Sequence, residues 1–197
     1  RRLLELLVAR ADANGRPLFP PKLVTAGALP DIVVASPEPL AGTTTRRVVW
    51  AEALRSADDD TRARIVAHPP APDDWAAWTA LGKVIDELHV ELAKAELSFA
   101  GVAALGLTLD EFPDEARWHA LERVSEAYVT RLTTLGLADP QHARTAALAT
   151  APALPRPGTA TSADGARPPE LVLACVPDLA PATRRLVEAT MPPRAST

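Results

Sequence analysis

Four histidines, one cysteine and a run of three aspartates are the residues of this chain whose types could do chemistry. His68, His89, His119 and His142 would hold a metal or carry a proton if a second His, Cys or carboxylate shared a helical face with one of them. Weak pairs such as Glu115 with His119 come nearest, so the histidines read as structural or solvent-facing and no metal site is expected. Asp58, Asp59 and Asp60 are consecutive, and consecutive carboxylates point in different directions on a helix. They read as a helix cap followed by Thr61 and Arg62. Cys175 follows an apolar run without a neighbouring Lys, Arg or His to lower its pKa, which suits a packed, inert thiol. Ser36, Ser98, Ser125 and Ser162 lack the Gly-x-Ser-x-Gly elbow of a serine nucleophile. A Gly-x-x-x-x-Gly-Lys-Ser/Thr phosphate cradle is absent, and no cofactor is expected in this chain.

The elements that must position these residues belong to a globular protein. With 197 residues, 47% of them apolar, the chain can bury the core of one ordinary domain and a smaller appended part. A formal charge of −4 gives no chain-wide attraction to nucleic acid, so any DNA contact must be local. A single cysteine excludes an internal disulfide framework and points to a reducing cytoplasm. No apolar run approaches the roughly 20 residues that span a bilayer, and no signal-peptide pattern opens the chain. The absence of an initiator Met and the trailing "PPRAST" suggest a piece of a longer protein.

Periodicity then places the helices. "RRLLELLVARADA" sets Leu3, Leu6 and Leu7 on one face, and Asn14-Gly15 supply a left-handed stop. Leu23-Val24-Thr25 suit a short strand running into a Gly27 turn. Thr43 to Thr45 are candidate N-caps of a helix burying Val48, Val49 and Leu54. Trp75, Trp78, Leu81, Ile85, Leu88, Leu92 and Ala95 make a long apolar stripe that starts after Asp73 or Asp74. Trp118, Leu121, Val124, Tyr128, Leu132 and Leu135 make a second stripe, ending at Gly136. Tryptophans on such stripes suit core packing better than stacking on nucleic-acid bases. Asp139-Pro140 read as the cap and first turn of another helix.

Residues 151–167 form a Pro-rich connection, with Pro152, Pro155 and Pro157 and no apolar period. Leu171-Val172-Leu173 then read as a strand, and Pro181 opens a last helix. The order predicts an α/β fold, mostly helical by residue count. Residues 1–34 and 168–197 would build the sheet-bearing part and residues 35–150 an inserted helical subdomain.

The succession "RRLLELLVARADANGRPLFPPKLVTAGALPD", "RLTTLGLADPQHAR" and "ELVLACVPDLAPATRRLVEA" resembles the N-terminal helicase-like region of a PD-(D/E)XK nuclease family protein, the nuclease-bearing component of ATP-dependent helicase/deoxyribonuclease. Such proteins carry the PD-(D/E)XK nuclease domain at their far C-terminus. The resemblance covers most of residues 1 to about 190 and implies a P-loop-NTPase-like parallel sheet of superfamily 1 helicase type. It further implies that Leu171-Val172-Leu173 is the strand which, in active relatives, runs into Asp-Glu-x-Gln-Asp. Asp178 matches the last Asp and Pro181 a following Pro, whereas Ala174, Cys175 and Pro177 replace the first Asp, the Glu and the Gln. The first acid positions magnesium and the second orients the attacking water. Ala174 and Cys175 can do neither, because a methyl and a thiol are poor partners for a hard cation.

The resemblance thus implies a non-catalytic module of a helicase–nuclease subunit, acting in DNA double-strand-break end processing and recombinational repair. DNA would be met through the parent protein, the ATP-driven motor would lie in a partner subunit, and Lys22 and Thr25 would be the candidate DNA-path residues. The rival expectation is a helical protein-interaction scaffold without a DNA role. The acidic charge and the two tryptophan-bearing stripes support it.

Overall fold

In the computed structural model, which describes residues 2–15, 24–30, 34, 36–109, 111–112, 114–150 and 178–190, local chemistry sets most helix ends. Helix α1 (Arg2–Ala13) stops where Gly15 turns left-handed at φ +58. The Asn14 side chain donates to the freed Arg10 carbonyl at 2.8 Å. Helix α2 (Thr43–Arg55) starts from Gly42 without a side-chain cap, so Thr43 to Thr45 lie inside the helix instead of capping it. Helix α3 (Asp59–Ile65) is capped by Asp58, whose carboxylate accepts from the Thr61 N–H at 2.8 Å and the Thr61 hydroxyl at 2.7 Å. The aspartate run therefore serves as a cap. Asp74 caps α4 (Trp75–Lys94) and Ser98 caps α5 (Phe99–Gly106) in the same way. Helix α6 (Glu115–Thr134) is followed by Gly136 at φ +67, then by α7 (Pro140–Thr150) and α8 (Pro181–Thr190).

Packing centres on α2, which lies against both α4 and α6, while α3 and α5 cover other parts of α6. The main core joins Trp50 and Leu54 of α2, Trp78 and Ile85 of α4, Phe99 of α5, and Leu121, Val124, Tyr128 and Leu132 of α6. Full burial of a large apolar side chain is worth roughly 1.5–3 kcal/mol, so this cluster dominates the favourable terms. Helix α4 packs tightly on α2 at Gly82, where an added Cβ would stand 2.3 Å from the Arg47 carbonyl oxygen. A smaller cluster of Val34, Ala147 and Leu186 forms where α7 meets α8.

The expected α/β fold with a P-loop-like parallel sheet is overturned: the described residues are helical and contain no β-strand. The reason can be followed at Val24 and Thr25. Thr25 has an extended backbone, but the chain passes at once into a 3-10 turn over Ala26–Ala28. A strand persists only if a neighbour takes up its N–H and C=O groups. Among the described residues the β-type pairing is one isolated parallel bridge, Leu40 with Ala138, far from Thr25 in sequence. The apolar surface is covered by helix on helix instead. The strand expected at Leu171-Val172-Leu173 lies outside the described residues. Trp75 also departs from expectation. As the first residue of α4 it remains 45% exposed, with the Arg55 guanidinium 4.6 Å from its ring centroid.

No helix among the described residues is long and apolar enough to cross a membrane.

Candidate functional site

The densest chemistry lies where α4 meets the start of α7. His89 is one turn beyond Ile85 on the inward face of α4 and is buried. Its ring sits between aromatic neighbours, with centroids 5.5 Å from Trp50 and 5.9 Å from Phe99. Asp139 is placed by the backbone before it. Ala138 donates to the Pro39 carbonyl at 3.0 Å, and the Ala41 N–H donates to the Ala138 carbonyl at 2.9 Å.

Asp139 then caps α7, and its carboxylate is fully engaged. Oδ1 accepts from the backbone N–H groups of Gln141 and His142 at 2.8 and 2.9 Å, and from His89 Nε2 at 3.1 Å. Oδ2 accepts from the Tyr128 hydroxyl at 2.6 Å. The acceptor role of Asp139 assigns the ring proton of His89 to Nε2. Tyr128 is held in turn by stacking on Trp50, with centroids 3.9 Å apart and planes 4° from parallel. His142, one turn into α7, brings Nδ1 to 3.9 Å from Asp139 Oδ1 and keeps its outer edge in solvent.

Electrostatics follow from these partners. Burial is the largest influence on Asp139 and pushes its pKa up. The hydrogen bond and charge of His89, the Tyr128 hydroxyl and the His142 N–H together outweigh it and hold the carboxyl well below the usual carboxylate range. Burial, then the adjoining Asp139 charge, raises Tyr128 far above the ordinary phenol value, so its hydroxyl remains a donor. Burial lowers the pKa of His142.

A second buried pair stands nearby. Arg46 Nε meets Asp86 Oδ1 at 2.9 Å and Nη2 meets Oδ2 at 3.3 Å, while Nη1 donates to the Ala41 carbonyl at 3.2 Å. Burial works against the guanidinium charge, yet the bonds and charge of Asp86 prevail and its pKa rises.

A His–Asp pair is also the orienting half of a nucleophile-activating triad. Here the imidazole commits Nε2 to Asp139 and lies behind Trp50 and Phe99, so it steadies a carboxylate instead of meeting a substrate.

Of the residues singled out in sequence, Lys22, Ala174 and Cys175 lie outside the described residues. Thr25 is exposed beside the 3-10 turn and makes no side-chain cap bond. Asp178 is exposed ahead of α8, accepting from the Leu179 N–H at 2.8 Å and from Arg184 Nη2 at 2.5 Å. Its contacts are local. His119 pairs with Glu122 at 3.2 Å and lies 3.9 Å from Glu115, a surface arrangement.

Sequence reasoning missed the grouping of His89, Asp139 and His142 because His89 and Asp139 are 50 residues apart. One signal was present: Asp86 and His89 fall on the inward stripe of α4, and buried polar groups require partners from another element. Trp50, the centre of the aromatic stack, was also missed.

Compared with known proteins, the chain matches no family model, no curated protein and no solved structure.

Proposed function

We propose that the chain is a non-catalytic module of a helicase–nuclease subunit acting at DNA double-strand-break ends in recombinational repair. It contributes shape and contacts to a motor subunit, not turnover, and it works in the cytoplasm. The parentage rests on the residue order quoted above and not on a parallel sheet. The observation that carries the non-catalytic role is the saturation of Asp139. Each oxygen of the best-placed acid is engaged within the fold, by His89, Gln141, His142 and Tyr128. A carboxylate so occupied fixes helices and does not serve as a base.

The test is DNA binding as a function of salt, measured on this chain and on any longer protein that contains it. Local Lys and Arg contacts to phosphates would make log K fall linearly with log salt concentration. Neither protein should hydrolyse ATP without a partner subunit. DNA-stimulated hydrolysis by either alone would refute the non-catalytic role.

The rival reading, a helical protein-interaction scaffold without a DNA role, is favoured by one observation. Leu105 in the last turn of α5 and Leu107 and Leu109 just beyond it are each more than half exposed. A scaffold gives no DNA binding and no salt slope, so the same experiment decides between the two.

A further inference from the structure

We propose that His89, Asp139 and His142 form a binding site for one divalent cation of the zinc class. Each residue offers a ligand atom, and the three atoms lie within 4.8 Å of one another. At metal–ligand lengths of about 2.0–2.1 Å, two ligands of a tetrahedral ion stand about 3.3 Å apart. His89 Nε2 and Asp139 Oδ1, at 3.1 Å, already have that separation. His142 Nδ1, at 3.9 Å from Oδ1 and within 4.8 Å of the His89 ligand atom, must close by roughly 0.5 Å on the first and by up to about 1.5 Å on the second, a rotation of a ring with a free outer edge.

The donor set selects the ion. Two imidazoles and one carboxylate suit zinc, cobalt or nickel, whereas calcium and magnesium call for a shell of oxygens. One outer contact is of the kind that orients a metal ligand. Tyr128 donates to the oxygen of Asp139 that faces away from the two histidines' bonds, and Trp50 and Phe99 fix the plane of His89.

Entry is from the His142 side. That ring lines a surface cavity with Ser98, Glu122, Ser125 and Glu126, whose acids attract a cation and whose solvent can supply a fourth ligand. On binding, Nε2 of His89 gives up its proton, to Nδ1 from the neutral ring or to solvent from the charged one, and the imidazole coordinates as a neutral ligand. The hydrogen bond between His89 and Asp139 is exchanged for two metal bonds. Without metal the same bond keeps the site closed and the fold intact, so the cation is an addition to the structure and not a condition for it.

The experiment uses the 197-residue chain stripped with EDTA, titrated with Zn2+ by calorimetry and with Co2+ by visible absorption. The expected result is saturation at one equivalent with micromolar affinity, a tetrahedral Co2+ band and a higher Tm in the presence of Zn2+. His142→Ala removes a ligand and leaves the bond between His89 and Asp139 in place, so it should fold. It should weaken binding by about tenfold or more and abolish the band. His119→Ala, which removes the surface histidine beside Glu115 and Glu122, should change neither. Absence of saturable binding at micromolar Zn2+ overturns the proposal. So does binding that survives His142→Ala unchanged or disappears with His119→Ala.

Discussion

Replacing Gly82 by alanine tests the packing on which the whole helical body depends. Intrinsic propensity favours the change, because alanine is better than glycine within a helix by about 1 kcal/mol. The structure predicts the opposite sign. An added Cβ would lie 2.3 Å from the Arg47 carbonyl oxygen, 2.7 Å from the Ala51 nitrogen and 3.1 Å from the Ala51 Cβ. Ordinary contacts begin near 3.4 Å, so α2 and α4 must separate by roughly 1 Å. The two nearest neighbours are backbone atoms, which no rotamer change can move aside. A gap of that size forfeits a quarter to a half of the dispersion energy of the facing atoms, around Trp50 and Ile85 among others.

Because the clash is with backbone, overpacking here should cost about 3–4 kcal/mol gross, at or above the top of the usual range of about 1–3 kcal/mol. After the propensity gain, about 2–3 kcal/mol of destabilisation remains. Urea unfolding followed by far-ultraviolet circular dichroism reads this directly. With m near 2 kcal/mol per molar, the midpoint should fall by about 1–1.5 M, and complete loss of the transition counts on the same side. Ala80→Gly, on the exposed face of α4, calibrates the propensity term at about 1 kcal/mol. A midpoint that is unchanged or raised by Gly82→Ala would refute the crossing of α2 and α4 at this register.

Three further outcomes concern the buried polar groups. Tyr128→Phe keeps the ring on Trp50 and deletes the hydroxyl on Asp139, so it should cost about 2 kcal/mol in the same unfolding assay, the usual worth of a buried bond to a charged group. Arg46→Met strands the Asp86 carboxylate and should cost about 3–5 kcal/mol, much of it recovered in the double variant Arg46→Met/Asp86→Leu. By contrast, breaking the exposed pair of Lys83 and Glu87 should cost less than about 1 kcal/mol. The third concerns acid. Because the folded-state pKa of Asp139 is depressed, its stabilisation is complete above the unfolded value near 3.9 and is lost as pH falls through the lower folded value. In EDTA, the stability difference between the native chain and Asp139→Asn should therefore be constant at neutral pH and shrink below about pH 4. A gap that stays constant into strong acid would contradict the assigned bonds.

Caps and stops were the most legible part of the sequence because they depend on a few adjacent residues. Asp58, Asp74 and Asp139 cap the helices they precede, and Gly15 and Gly136 take the left-handed turn. Apolar stripes were legible in outline. Leu121, Val124, Tyr128 and Leu132 are buried as their period requires, but Trp75 and Leu135 at the edges of their stripes are exposed. Periodicity states which residues share a face, and tertiary contact decides where that face ends. The sheet was misread for a related reason. A short run such as Leu23-Val24-Thr25 carries a strand's preference, but only a partner chain segment makes it a strand. The grouping of His89, Asp139 and His142 was illegible by motif, since its spacing is set by how α4 meets α7 and by no local rule.

The distance in sequence between His89 and Asp139 has a consequence during synthesis. Arg46 and Asp86 can pair once α2 and α4 have both emerged from the ribosome. His89 must wait for a further 50 residues, which at about 5–20 residues per second is roughly 3–10 s. Tyr128 arrives within that interval, and its hydroxyl gains its acceptor only when Asp139 follows. Through that window the nascent helices carry an imidazole on an apolar face with no partner, and the partly made body has reason to stay loose. Capping α7 and giving His89 and Tyr128 their common acceptor are then one event, which Asp139 supplies.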